Sequence, residues 1–380
     1  MNRSWETICA SIQTSLAGRD VDFPAEVNWT EVFQECRRQG ITGIVYVGVA
    51  SRLPAQIKNV WMQYNLQNVL NGNQVVFEEG ELCKLLMDIP FCILKGTAAS
   101  VYYPQPLLRT MGDIDFIVHP AYFEEAKHRL VRAGYKPSEE DNTRHICLEK
   151  DEVIFEMHYH FSHDELDVDE YIDRCYGKFE DGTISDVSFP MLPDLENGIV
   201  ILAHLRQHLY SGLGMRQILD WMMYAEKLLD DSFWNESFQK EARALGLEKL
   251  AMSAAHLCQM YFGLNPGLQW CVGADENVCR RLMENIIESG NFGQNLGSGK
   301  AVEKTIINIR KEGYFRYLQK AGEYNWKTYQ KHHWLKPFAW VYQIGRYIKQ
   351  GFQTGRDRQS IKEDISRSNE RFELLKDLGL

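Results

Sequence analysis

Two aspartates separated by one residue, Asp113 and Asp115, sit in the run Gly112-Asp-Ile-Asp-Phe-Ile-Val118. Side chains alternate faces along a strand, so this spacing projects both carboxylates to one side and Ile114 and Phe116 to the other. Carboxylates that close repel each other unless cations sit between them. Magnesium suits such a pair, because it takes carboxylate oxygens and keeps water and phosphate as further ligands. A third acid stands in Val153–Phe161, which reads as a strand with Phe155, Met157, Tyr159 and Phe161 facing a core. Glu156, His158 and His160 share its opposite face. Glu156 can complete a three-carboxylate metal site with Asp113 and Asp115, holding the cation nearest an acceptor and taking a proton from the attacking group. A bare Asp-x-Asp also occurs on ordinary half-exposed strands. A rival reading of the same region is a zinc site from His158, His160 and His163.

A phosphate-binding feature precedes the acids. Leu94-Lys95-Gly96-Thr97 follows the apolar strand Phe91–Leu94 and opens a run of small residues. Gly96 allows a tight turn and a close approach of phosphate to the backbone. The amides of Thr97 and Ala98 would then face an anion at a helix start, and the Thr97 hydroxyl can add a hydrogen bond. Lys95 and Arg109 are candidate cations for triphosphate oxygens. The segment is neither a P-loop, Gly-x-x-x-x-Gly-Lys-[Ser/Thr], nor a Gly-x-Gly-x-x-Gly dinucleotide turn. Gly96 in an ordinary strand-to-helix turn and Arg109 as a surface cation remain the plain alternatives.

The elements that must position these groups follow from periodicity. Residues 1–88 have helical spacing, as in Val32, Phe33 and Cys36, with turns at Pro24 and Pro54. Ala121–Gly134 reads as an amphipathic helix with Phe123, Ala126, Leu130 and Val131 inward. Ile146–Leu148 and Val153–Phe161 read as a hairpin around residues 149–152. Helical periods dominate from Asp194, with candidates at Ile199–Leu209, Gln217–Leu229, Trp234–Leu245, Leu247–Phe262, Cys279–Glu288 and Trp334–Lys349. The Gly/Asn-rich stretch Gly290–Gly299 reads as a flexible connection. The predicted organisation is an N-terminal helical region over 1–88, a catalytic core over 89–190, a helical domain over 191–290 and a basic helical region over 300–380. His204, Arg206, His208, Arg216 and Asp220 should pack beside the core, either as contacts to base or acceptor or as a polar face at a junction. The aromatic cluster from Trp326 to Tyr342 reads as core, with an acceptor or partner surface as the alternative.

Composition bounds the class. The chain has 380 residues, 44% apolar and 25% charged, as in globular proteins. No apolar run reaches the roughly 18 residues that span a bilayer. The start, Met1-Asn2-Arg3-Ser4-Trp5-Glu6, lacks a secretory pattern, which points to a cytoplasmic protein. Nine cysteines, none in a Cys-x-x-Cys pair, argue against both a disulfide framework and a cysteine zinc site. Residues 301–380 carry a net charge of +7 and the first 300 carry −17. That acidic body argues against a general nucleic-acid binder; the basic tail reads as a solvated helical face, with contact to RNA, an acidic partner or an anionic surface as the alternative.

Taken in order, Leu94-Lys95-Gly96, Tyr103-Pro104, Leu108-Arg109, Met111-Gly112-Asp113-Ile114-Asp115 and Glu156-Met157-His158 resemble the uncharacterised nucleotidyltransferases of the polymerase-β-type superfamily, a group related to abortive-infection toxin enzymes. His208, Arg216 and Leu219-Asp220 resemble the helical half of that family. The chain has Gly96-Thr97 where the superfamily usually has Gly-Ser or Gly-Gly, and Glu156 where aspartate is frequent. The resemblance implies an α+β fold: a small mixed-sheet, polymerase-β-like core flanked by N-terminal helices and a mostly helical C-terminal region. It also implies transfer of a nucleotide from a nucleoside triphosphate, with ATP as the first candidate. Asp113 and Asp115 would bind two magnesium ions, Glu156 would bind the catalytic one, and Lys95, Gly96, Thr97, Arg109 and His158 would lie at the nucleotide. The acceptor stays open among a small molecule, a protein side chain and an RNA end. Two further readings stay open: a toxin-like enzyme modifying tRNA, and a non-catalytic nucleotide-binding or scaffold protein that keeps the fold.

Overall fold

The computed structural model describes residues 1–138, 145–161, 167–210, 212–291, 299–326, 328–329, 332–354 and 358–380. His163 and most of the Gly290–Gly299 stretch lie outside the described residues, whereas Asn291 is buried. The N-terminal region forms four helices, α1 (Arg3–Ala17), α2 (Trp29–Gln39), α3 (Thr42–Val49) and α4 (Ala55–Leu85). Their ends have local causes. The Asn2 and Asn28 side chains accept from Trp5 N and Glu31 N, capping α1 and α2. Gly18 and Gly40 end the same helices at φ of 63° and 67°, a left-handed conformation that favours glycine. Trp61 of α4 is fully buried against Phe33 and Tyr46.

The core is a seven-stranded mixed sheet, so the chain is α+β. Its strands are β1 (Phe91–Leu94), β2 (Asp113–Val118), β3 (Lys136–Pro137), β4 (His145–Lys150), β5 (Val153–His158), β6 (Glu180–Ile184) and β7 (Val187–Met191), in the order β3-β4-β5-β2-β1-β7-β6. Strand β2 runs antiparallel to β1 and parallel to β5. All four residues of β1 and five of the six in β2 are buried, so both faces of the sheet's centre are covered.

Five helices complete the surroundings of the site. Helix α5 (Gly96–Ser100) follows β1, and α6 (Phe123–Arg132) follows β2. Phe123, Ala126 and Leu130 of α6 are buried as expected, but Val131 is exposed. Consecutive helical residues are turned about 100° apart, and one stripe cannot take both 130 and 131. The short helix α7 (Val168–Asp173) leads to the β6–β7 hairpin. Helices α8 (Asp194–Leu209) and α9 (Met215–Leu228) then pack beside α5. Their closeness requires Gly198, where an added Cβ would lie 2.2 Å from the Tyr224 ring.

Further helices, among them Glu248–Tyr261, Glu276–Ser289, Tyr314–Asn325 and Ala339–Thr354, build the C-terminal part. The aromatic cluster there departs from the core reading. Trp334, Phe338 and Tyr342 are exposed, with Tyr342 stacked on Trp326 at 5.1 Å. No helix among the described residues is long and apolar enough to cross a membrane.

Candidate active site

Strand register brings the acids together. Asp113 pairs with Ile154, Asp115 with Glu156 and Ile117 with His158 across the parallel β2–β5 ladder. Paired residues of neighbouring strands share a face, so Asp113, Asp115, Glu156 and His158 project to one side. One oxygen from each of Asp113, Asp115 and Glu156 lies within 4.8 Å of the others. The three acids differ in exposure. Asp115 is only 6% exposed, whereas Asp113 is exposed and Glu156 half-buried. The group reaches solvent from its Asp113 end.

Charge is distributed unequally over the three. Asp115 Oδ1 accepts from Lys95 Nζ at 2.8 Å and lies 2.8 Å from His158 Nε2. Burial opposes its ionised form, but Lys95 and His158 outweigh it and hold the carboxyl well below the usual range. Asp113 goes the other way. Lost hydration, then the charges of Asp115 and Glu156, raise its pKa, and Lys95 offsets only part of that. Its residue surface is exposed, yet its carboxyl sits in the crowded cluster, and an acid so placed gains from a cation. The donor set, three carboxylates with solvent on one side, fits magnesium, which prefers oxygen ligands and retains water.

The turn before α5 is strained at an unexpected residue. Lys95, not Gly96, takes the left-handed φ of 50°. Gly96 instead lies against β2, where an added Cβ would be 3.6 Å from the Asp113 carbonyl oxygen. The turn therefore adjoins the acids. Lys95 is mostly buried. Burial works against its ammonium, but Asp115, Glu156 and Asp113 outweigh burial and raise its pKa.

Two expected phosphate ligands are engaged elsewhere. The buried Thr97 hydroxyl donates to Glu79 Oε2 of α4 at 2.5 Å. Burial pushes the Glu79 carboxyl up to about 8 despite that bond. Arg109, expected as a cation for triphosphate oxygens, is 4% exposed. Its Nε and Nη2 donate to the two oxygens of Asp220 at 2.7 Å each, and the Tyr103 hydroxyl donates to the same carboxylate at 2.8 Å. A two-pronged ion pair of this kind joins the segment before β2 to α9. Arg216 also comes from α9 and donates from Nη1 to the Thr110 carbonyl at 3.0 Å. Burial and then the Arg109 charge lower its pKa, while Asp220 and Asp113 act to raise it. His204 and His208 of α8 meet at 2.8 Å through their Nε2 atoms.

Of the rival histidine set, His163 lies outside the described residues, and the other two differ in setting. Strand β5 ends at His158, and His160 is exposed beside Asp169 at 3.8 Å. His145 takes a place that the sequence reading left unassigned. It pairs with His158 across β4–β5, and its Nε2 lies 3.7 Å from Glu156 Oε1.

No curated protein and no solved structure gives a match to the chain. Residues 25–263, more than half of the chain, match the family described as uncharacterised nucleotidyltransferase, and that stretch spans the sheet, α8 and α9. By that match the chain belongs to the uncharacterised nucleotidyltransferase family.

Proposed function

We propose that the protein transfers a nucleoside monophosphate from a nucleoside triphosphate to an acceptor hydroxyl with release of pyrophosphate, on a core of polymerase-β type. The observation that carries this reading is the Asp115–Glu156 register, which gathers three carboxylates within 4.8 Å on neighbouring strands of a nucleotidyltransferase family member. Asp113, Asp115 and Glu156 would hold magnesium, which when bound would neutralise triphosphate charge and stabilise the negative charge that moves to the leaving oxygens.

The remaining roles belong to the chain itself. Gly96, at the turn beside Asp113, leaves room for phosphate to approach the backbone. Lys95 and Arg216 replace the Lys95 and Arg109 pair expected from sequence as cations for the triphosphate, since Arg109 is committed to Asp220. Glu156, half-buried at the end of the acidic group, accepts the proton of the acceptor hydroxyl as its oxygen attacks the α-phosphorus. His158 orients Asp115 through their 2.8 Å contact. The burial of Asp115 and Lys95 keeps water from screening these charges.

The test is label transfer with each of the four nucleoside triphosphates, labelled separately at the α- and γ-phosphate, using cell extract as acceptor source. Acceptor labelled from the α-position only, lost on chelation of divalent metal and in Asp113→Asn, supports the proposal. Label carried from the γ-position would show a kinase instead. Nucleotide binding with no transfer above the Asp113→Asn background would favour the non-catalytic reading.

A further inference from the structure

The acids are flanked by a second potential ligand set with different chemistry. Strand β4 runs antiparallel to β5 around a two-residue turn, Asp151-Glu152, whose φ angles are 49° and 65°. That turn fixes the register, placing His145 opposite His158 and Cys147 opposite Glu156. Both imidazoles present Nε2 to the same carboxylate. His145 Nε2 lies 3.7 Å from Glu156 Oε1, and His158 Nε2 lies 3.5 Å from Glu156 Oε2. The two rings are tilted at 56° with centroids 5.0 Å apart, so they converge without stacking. One donor atom from each of the three residues lies within 4.8 Å of the other two.

We infer that His145, Glu156 and His158 form a binding site for a divalent cation of the zinc class, which shares Glu156 with the acidic magnesium set and adds two imidazoles. The distances favour it. Ligand atoms about 2.1 Å from a tetrahedral zinc stand about 3.4 Å apart; His158 Nε2 is 3.5 Å from Glu156 Oε2, while His145 Nε2 is 3.7 Å from the other oxygen, Oε1, so the carboxylate lies between the two imidazoles with one oxygen toward each. The donor types favour it too. Imidazole nitrogen suits zinc, cobalt and nickel, while magnesium prefers an all-oxygen shell. The site is reached from the His145 and Glu156 side, whose side chains are 15% and 25% exposed, while His158 is buried behind them. Two histidines and one carboxylate leave a fourth position for water or an acceptor atom, as in catalytic rather than structural zinc sites. Glu156 belongs to both ligand sets, and His158 Nε2 lies 2.8 Å from Asp115 Oδ1, so zinc bound here displaces that contact, draws on a ligand of the acidic site and should weaken magnesium there.

This site does not depend on nucleotidyl transfer, and its test uses neither nucleotide nor activity. Full-length protein is stripped with chelator and titrated with zinc, and in parallel with cobalt, whose visible ligand-field bands report coordination. Wild type should bind about one zinc per chain and show intense bands typical of four- or five-coordinate cobalt. His145→Ala should weaken zinc binding by about 100-fold or more, since even changes behind the ligands cost 10–100-fold. Asp113→Asn, which leaves the triad intact, should bind zinc as wild type does. X-ray absorption of the wild-type zinc complex should show imidazole nitrogen, and this reads the ligands even if His145→Ala does not fold. Absence of zinc binding by wild type, oxygen-only coordination, or affinity unchanged in a folded His145→Ala would overturn the inference. A failure of label transfer with zinc binding intact would count against the proposed activity and leave this site standing.

Discussion

Two charged clusters lie close together in this molecule and are built on opposite principles. In one, Arg109, Asp220 and Tyr103 close on each other, and both carboxylate oxygens of Asp220 accept from the guanidinium. In the other, three carboxylates crowd together, only Asp115 is well compensated, and Asp113 is held in a position that raises its pKa. The first cluster is complete in itself and links the α9 helix to the sheet. The second is complete only with added positive charge. Proteins place unsatisfied charge where function needs it and lose stability there. The contrast fits the proposed binding role of the acids and gives the ion pair a structural one, although the sequence offers Arg109 as a phosphate ligand.

Substitutions can break or sharpen this contrast. The largest effect belongs to Asp113→Asn with Asp115→Asn, which should lower nucleotidyl transfer by about 10³- to 10⁴-fold, roughly 4–5 kcal/mol of barrier, in single-turnover assays. Asp113→Asn alone should leave the denaturation midpoint unchanged or raised, because it removes the acid that its neighbours disfavour. Asp220→Ala should do the reverse. It strands a buried guanidinium, and urea unfolding should show a loss of about 3–5 kcal/mol. If Asp220→Ala left stability intact while abolishing transfer, the division between the two clusters would fail.

A smaller effect is expected at Gly198, where a methyl group would meet Tyr224. Gly198→Ala should cost about 1–3 kcal/mol through overpacking of α8 against α9, read in the same unfolding assay. A further effect concerns pH. Burial raises the Glu79 carboxyl from 4.5 to about 8 in the folded chain, so between those values the folded state binds more proton than the unfolded state. Its contribution to stability is full below about pH 4.5 and is lost as pH rises through about 8. Thermal midpoints of Glu79→Gln should lack this decline between about pH 4.5 and 8.

How far the sequence revealed this arrangement depended on the kind of signal. Strands β1 and β2 were legible because apolar runs bounded by turn residues are strong local signals, and both ends of each were read as observed. The shared face of Asp113 and Asp115 followed from strand alternation. The β6–β7 hairpin was not legible. Its strands are five residues each and carry Gly182 and Pro190, which weaken a strand pattern, and the turn residue Ser185 takes a φ of 52° without glycine. His145 was missed for a related reason. Asp151-Glu152 carries no Asn-Gly signature, so the sequence places the loop over residues 149–152 and hides the register that pairs His145 with His158. The fate of Arg109 was beyond local reading altogether, since its partner Asp220 is 111 residues away in sequence.

The central claim, that the β2 aspartates and Glu156 form a metal site for a triphosphate, is tested most directly by a crystal structure with magnesium and a non-hydrolysable nucleoside triphosphate. The predicted result is two magnesium ions bridged by Asp113 and Asp115, one of them also bound by Glu156, with the α-phosphate between them and the Arg109–Asp220 pair unmoved. Triphosphate bound away from these acids, or carboxylates that hold no ion in its presence, would contradict the account.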